Sequence, residues 1–153
     1  MSKNNVINRL ANSLQKINKN SIPVNVIEIG KNCIIDTVGV TIAGSVTPSA
    51  KKIYFSANET YKDGNCTILG SDKTLNAAGA ALTNGAAAHA LDFDDNCYAG
   101  IVHGSAVVLP TVLALAQENS LNGQKLLISF IAGLEIQFGI AKAFSNGIYL
   151  SLI

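Results

Sequence analysis

Between Ala88 and Ser105 the sequence reads AHALDFDDNCYAGIVHGS, which gathers three aspartates and both of the chain's histidines. A carboxylate beside an imidazole can orient the ring and favour its protonated form, so such a pair can carry a proton to or from a substrate. Asp92, Asp94 and Asp95 directly follow a stretch almost free of charge, and His103 returns after a glycine-containing loop. Polar groups crowded between apolar elements are costly unless they are paired or useful. Two other uses of the same residues stay open. The aspartates could cap helices by accepting backbone N–H bonds, leaving His103 to fill a loop. Oxygen ligands with an imidazole also suit a divalent ion, although DxDD without a fixed glycine turn or a second ligand motif is an unspecific spacing. His89, three residues before Asp92 on one helical face, reads as a buried, hydrogen-bonded histidine rather than a catalyst.

The elements that must position this segment are helices. Val6, Ile7, Leu10, Leu14 and Ile17 recur at three- and four-residue steps, which predicts a first helix over 6–17. Pro23 lacks a donor that a helix start would leave unsatisfied anyway, so a second helix is expected from Pro23 to Ala43, closed by Gly44. It is apolar around most of its circumference and is expected to be buried. SVTPSA reads as a turn into a short helix carrying Lys51, Lys52, Tyr54 and Phe55, and Cys66 to Leu69 as an extended piece after a turn at Asp63–Asn65. From Thr74 to Leu91 small residues dominate, notably Ala77, Ala78, Gly79, Ala80 and Ala81, which predicts a helix that neighbouring backbones approach closely. After the acidic turn comes an irregular loop to His103, then helices over 105–118 and 123–144 separated by SLNG. The fold class is all-α, and no internal repeat or low-complexity linker interrupts it.

Bulk properties narrow the function classes. Hydrophobic residues make up 48% of the 153 positions and charged ones only 14%, against about 25% in an average soluble chain. So few charges cannot cover the surface comfortably, and the missing cover is expected from a partner subunit or from further polypeptide. A net charge of +1 with scattered lysines gives no footprint for nucleic acid. No concentrated basic face supports membrane-surface binding, and the N-terminus lacks the continuous apolar core of a secretory signal. The uncharged run from Asn96 to Gln117 is broken by His103, Gly104 and Pro110, and reads as buried loop and helix rather than a membrane span. Cys33, Cys66 and Cys97 are odd in number and widely spaced, which fits reduced thiols in a cytoplasmic protein rather than a disulfide framework or a zinc site.

Four stretches together resemble the 2-methylcitrate dehydratase (MmgE/PrpD) family, which also includes cis-aconitate decarboxylase and an iminodisuccinate epimerase. They are IIDTVGVTIAG at Ile34–Gly44, CTILG at Cys66–Gly70, AALTNGAAAHALDFDD at Ala80–Asp95 and HGSAVVLPTVLALAQ at His103–Gln117. The resemblance spans nearly the whole chain and implies the helical N-terminal domain of that family, incomplete over 1–153, without its second, α/β domain. It places Asp92, Asn96 and His103 along an active-site wall: His103 and Asp92 as catalytic groups, Asn96 as a substrate contact. Family members commonly have Thr where this chain has Asn96, and Pro where it has Gly104, which points to a looser loop here.

The chemistry implied is proton abstraction and elimination at a carbon next to a carboxylate of a small di- or tricarboxylic acid, with no metal and no cofactor. Substrate carboxylates need cations, yet no Lys or Arg occurs between Lys73 and Lys125. In relatives the active-site lysines come from later in a chain about three times this length, so the present chain is expected to be an inactive N-terminal fragment of a lyase. A homodimer through the helical region is implied as well. The competing reading is a non-catalytic helical oligomerisation module, and the choice among dehydration, decarboxylation and epimerisation stays open.

Overall fold

A computed structural model describes residues 6–98 and 100–151, with side chains over 7–98 and 100–144. Among the described residues, six helices and four two-residue strands run in the order α1 (Val6–Leu14), α2 (Val24–Gly44), α3 (Pro48–Thr60), β1 (Cys66–Thr67), β2 (Thr74–Leu75), α4 (Ala77–His89), β3 (Asn96–Cys97), β4 (Val102–His103), α5 (Ser105–Glu118) and α6 (Gly123–Ser151). The mostly helical class expected from the sequence is what the chain adopts. The strands form two small antiparallel ribbons, β1 with β2 and β3 with β4.

Helix α4 is central, as its composition predicts, and packs against α2, α3 and α5. It starts at Asn76, whose side chain accepts the Gly79 N–H at 3.0 Å, a cap that satisfies one of the helix's orphan donors. Its buried face is built of Gly79, Ala80, Thr83, Asn84, Ala87 and Ala88. Such small side chains let α2 cross so closely that a Cβ on Gly44 would lie 2.0 Å from the Ala87 carbonyl oxygen. Asn84, fully buried, ties α4 to the first ribbon by accepting the Leu69 N–H and donating to the Thr67 carbonyl, both at 2.9 Å. Gln117 on α5 holds the same strand, accepting from Thr67 N and donating to Thr67 Oγ1. Strand β1 thus gets from side chains bonds that a longer sheet would supply. Ala57, Cys66, Ile68, Leu75, Ala80 and Ala114 close the core around these contacts.

Three expectations are corrected. Helix α1 ends at Leu14 rather than Ile17, and the chain continues through turns in which Lys16 and Ile17 donate to the carbonyls of Ser13 and Leu14. Helix α2 is not buried all round. Only Gly30, Thr37, Thr41 and Gly44 are enclosed, a stripe at helical spacing, while Ile29, Ile35 and Ile42 are exposed. The threonine hydroxyls are satisfied within the helix, donating to the carbonyls four residues back, which makes that polar stripe cheap to bury. Third, the segment before His103 is a hairpin rather than an irregular loop.

Helix α6 packs against α5 and α2, yet over Gly123–Phe144 it is long and apolar enough to cross a membrane by length and composition. One such helix is weak evidence for a membrane, because the core helix of a soluble protein passes the same test. The Asn96–Gln117 run, in contrast, is divided between the hairpin and α5.

Candidate active site

His89 stands in the last turn of α4, where a helix C-terminus favours a cation. The chain then reverses sharply: Asp92 N–H donates to the His89 carbonyl at 3.0 Å, and Asp92 adopts a left-handed φ of 55° that aspartate tolerates better than most residues. The turn sends Phe93 outward and Asp94 inward, its carboxylate wholly enclosed. Beyond it, the β3–β4 register sets Asn96 opposite His103, and directly opposed residues of an antiparallel pair share a face.

These steps bring three groups together. Asp94 Oδ1 lies 2.9 Å from His89 Nδ1, and Asp94 Oδ2 lies 2.9 Å from His103 Nδ1. The imidazoles meet edge to face with centroids 4.4 Å apart. An ionised carboxylate only accepts hydrogen bonds, so each ring presents its Nδ1–H to Asp94 and keeps Nε2 for other work. Both histidines line an open cleft of about 560 Å³ between α4 and α5, with Ala81, Gly85, Ala106 and Gln137 among its walls and no Lys or Arg. Gln137 donates to the His103 carbonyl at 3.1 Å, and its buried Oε1 has no partner among the described residues.

The aspartates divide the roles that sequence left open. Asp95 is a cap: it accepts the Ser105 N–H at 2.8 Å and also the Ser105 hydroxyl, serving the start of α5, whose own N-cap residue Gly104 has no side chain. Asp94 holds the imidazoles. Asp92 is at the rim, 78% exposed, with Oδ1 4.0 Å from His89 Nδ1, so the hydrogen-bond partner of His103 is Asp94 rather than Asp92. His89 is hydrogen-bonded as expected but not buried; its side chain is half exposed because α4 ends there. Gly104 is not a loosened joint. Its φ of −75° is ordinary, and a Cβ there would come within 2.7 Å of the Phe138 ring, so glycine admits α6. Sequence reading left Asp94 and Gln137 without a role at this site. Their separations from His103, nine and thirty-four residues, belong to no local periodicity, and only an acid lying between the two histidines hinted at Asp94.

The bond to Asp94 raises the His89 pKa above its ordinary 6.5, against a smaller opposing effect of burial and with further help from the Asp94 and Asp92 charges. The folded chain therefore holds this proton more tightly than the unfolded one. Its stabilisation is complete below the ordinary imidazole value and is lost as pH rises through the raised one. Thermal melts across that interval should show the native chain losing stability relative to His89→Gln; parallel curves would contradict the assignment. Burial pushes the Cys66 thiol up, which keeps it a packing residue, and the same effect with the Asp95 and Asp36 charges raises Cys33.

This chain belongs to the MmgE/PrpD family, matching its N-terminal domain over residues 8–150. Among curated relatives, it is 25% identical over 143 residues to the cis-aconitate decarboxylase-like protein oryM of Aspergillus oryzae, an alignment covering 94% of this chain and 29% of that protein. It is 30% identical over 137 residues to cis-aconitate decarboxylase of Mus musculus, covering 86% and 28%. The human protein of the same name is 33% identical over 121 residues, covering 73% and 24%. The chain thus spans less than a third of the length of these relatives. No solved structure gives a significant match.

Proposed function

We propose that the chain forms one wall of the active site of a cytoplasmic lyase acting on a small di- or tricarboxylic acid, with His103 carrying the proton. The observation that supports this best is the Asp94 bridge, which orients His103 through Nδ1 and leaves Nε2 for acid–base work beside the cleft. In this reading Asp94 positions the ring and stabilises the imidazolium that forms when a proton is taken from the carbon next to a substrate carboxylate. Asn96, opposite His103 in the hairpin, contributes a substrate hydrogen bond, and Asp92 at the rim orients the substrate.

The cations that an enediolate-like intermediate requires are missing from this cleft. They come from outside this chain, which alone is inactive; the exposed apolar faces of α2 and α6 are the surfaces that further polypeptide or a second subunit covers. Decarboxylation is the second reading, and the activity for which the relatives are named favours it over dehydration. The test uses a protein that carries this domain together with the rest of the family's length, supplied with cis-aconitate or 2-methylcitrate. His103→Ala is expected to lower kcat about 10²–10⁴-fold, with product analysis separating release of carbon dioxide from loss of water. Unchanged turnover of every active substrate would remove His103 from the mechanism.

A further inference from the structure

Thr37, Thr41 and Thr83 are all buried inside helices, but their hydroxyls are not treated alike. Those of Thr37 and Thr41 donate to the carbonyls four residues back. The Thr83 hydroxyl, on a residue only 3% exposed, has no partner among the described residues. A buried hydroxyl left without a partner is costly. Thr83 also lines a cavity of about 250 Å³ where the end of α2, α3, the turn over 68–73 and α4 meet. That cavity lies on another face of α4 from the histidines and shares no lining residue with their cleft. We infer that it binds a small monocarboxylate with an apolar body, its charge held at Lys51 and Lys73 and an oxygen acceptor at Thr83. The inference stands apart from the reaction proposed above.

The chemistry of the cavity is divided by depth. Ala50, Tyr54, Ile68 and Leu69 give it apolar walls, Lys51 and Lys73 are exposed at its rim, and no Asp or Glu lines it. Apolar walls with a few placed polar groups are the usual make-up of a small-molecule site. Here the cations lie near solvent and the unpaired hydroxyl lies inside. A di- or tricarboxylic acid would have to bury a second charge among apolar walls with no cation beside it, which is expensive. At the roughly 30 Å³ that a water molecule occupies, the volume suits a ligand of about eight non-hydrogen atoms.

The rim is a built structure. Lys73 Nζ lies 4.4 Å from the Tyr54 ring centroid. The turn that carries Lys73 is closed by the Ile68 N–H, which donates to the Lys73 carbonyl at 3.0 Å, and by the Ser71 N–H, which donates to the Ile68 carbonyl at 3.2 Å. At its corner Gly70 takes a left-handed φ of 81°, and a Cβ there would collide with Ser45 Oγ, so only glycine lets the turn seat against the end of α2.

The probe that matches this size and polarity is 4-oxopentanoate. Titrated into the isotope-labelled chain and followed by amide shifts, it is expected to bind saturably at one site, with the shifts gathered at Ser71, Lys73 and Thr83. Neutral 4-oxopentanamide and pentanoate, which lacks the inner acceptor, should each bind more weakly, and succinate should not compete. Lys73→Gln, at an exposed position, should weaken binding about tenfold, as for loss of one charge-assisted hydrogen bond. Thr83→Val keeps the shape and removes the hydroxyl, so it should bind 4-oxopentanoate and pentanoate alike. No saturable binding, equal affinity for the amide, shifts centred on His89 and His103, or a Thr83→Val chain that still prefers the oxo acid would each overturn the inference.

Discussion

Asp94→Asn should disconnect the proton-carrying histidine from its support, and the expected loss of turnover, in a protein that holds this domain with the rest of its family's length, is about 10³–10⁴-fold, as for other carboxylate–imidazole pairs. The reason is tautomeric. The native carboxylate accepts from Nδ1 of His89 and from Nδ1 of His103. An amide offers one acceptor and one donor, so one ring must turn its lone pair inward and move its proton to Nε2. If that ring is His103, it can no longer act as a base. Stability should fall as well, by about 1–3 kcal/mol for charge-assisted hydrogen bonds, toward the lower figure because the His89 side is half exposed. The His89 proton should also be released at lower pH, since its largest supporting contact is removed. Kinetics with denaturant melts would show both effects. A variant losing stability but no activity would make Asp94 purely structural.

The largest effect on stability alone is expected from Gly44→Ala. Alanine is the better helix former by about 1 kcal/mol, and at an open position that gain should appear. At Gly44 the added Cβ would lie 2.0 Å from the Ala87 carbonyl oxygen and 3.1 Å from its carbon, both backbone atoms of α4 that no rotamer change can move. Overpacking costs about 1–3 kcal/mol, occasionally more, and here it must separate two helices, so the net change should be destabilising by about 2 kcal/mol. Gly39→Ala, five residues earlier in the same helix, is the control: its Cβ would meet nothing within 4 Å. Denaturant melts should place Gly39→Ala at or above the native chain and Gly44→Ala well below it. Equal stabilities would mean that α2 and α4 do not approach as described.

The contrast between these glycines illustrates what the sequence revealed and where it stopped. Alanine-rich composition identified α4, Pro23 marked the approach to α2, and the Thr47–Pro48 start of α3 fell where turn chemistry pointed. Which face of α2 is enclosed was hidden, because an apolar residue stands on nearly every side. The answer lay in Gly30, Thr37, Thr41 and Gly44, chosen for size rather than hydrophobicity. Two-residue strands leave no alternation to read, and the second hairpin turns through Ile101 at a φ of 51°, a conformation disfavoured for a β-branched residue. The histidine and aspartate segment stood out in the sequence as a candidate site, on composition and on family resemblance. Its internal wiring was not: three aspartates in four positions look alike in sequence, yet one is at the rim, one bridges two imidazoles and one caps α5.

That wiring carries the functional reading, and it can be observed in this chain without any substrate. Long-range proton–nitrogen NMR of the two imidazoles at alkaline pH, where neutral rings reveal their tautomer, is the most direct measurement. The bridge predicts that His103 keeps its proton on Nδ1 with Nε2 bare, and that this signature changes in Asp94→Asn. A His103 ring protonated on Nε2 in the native chain would contradict the bridge and, with it, the assignment of His103 as a base oriented by Asp94.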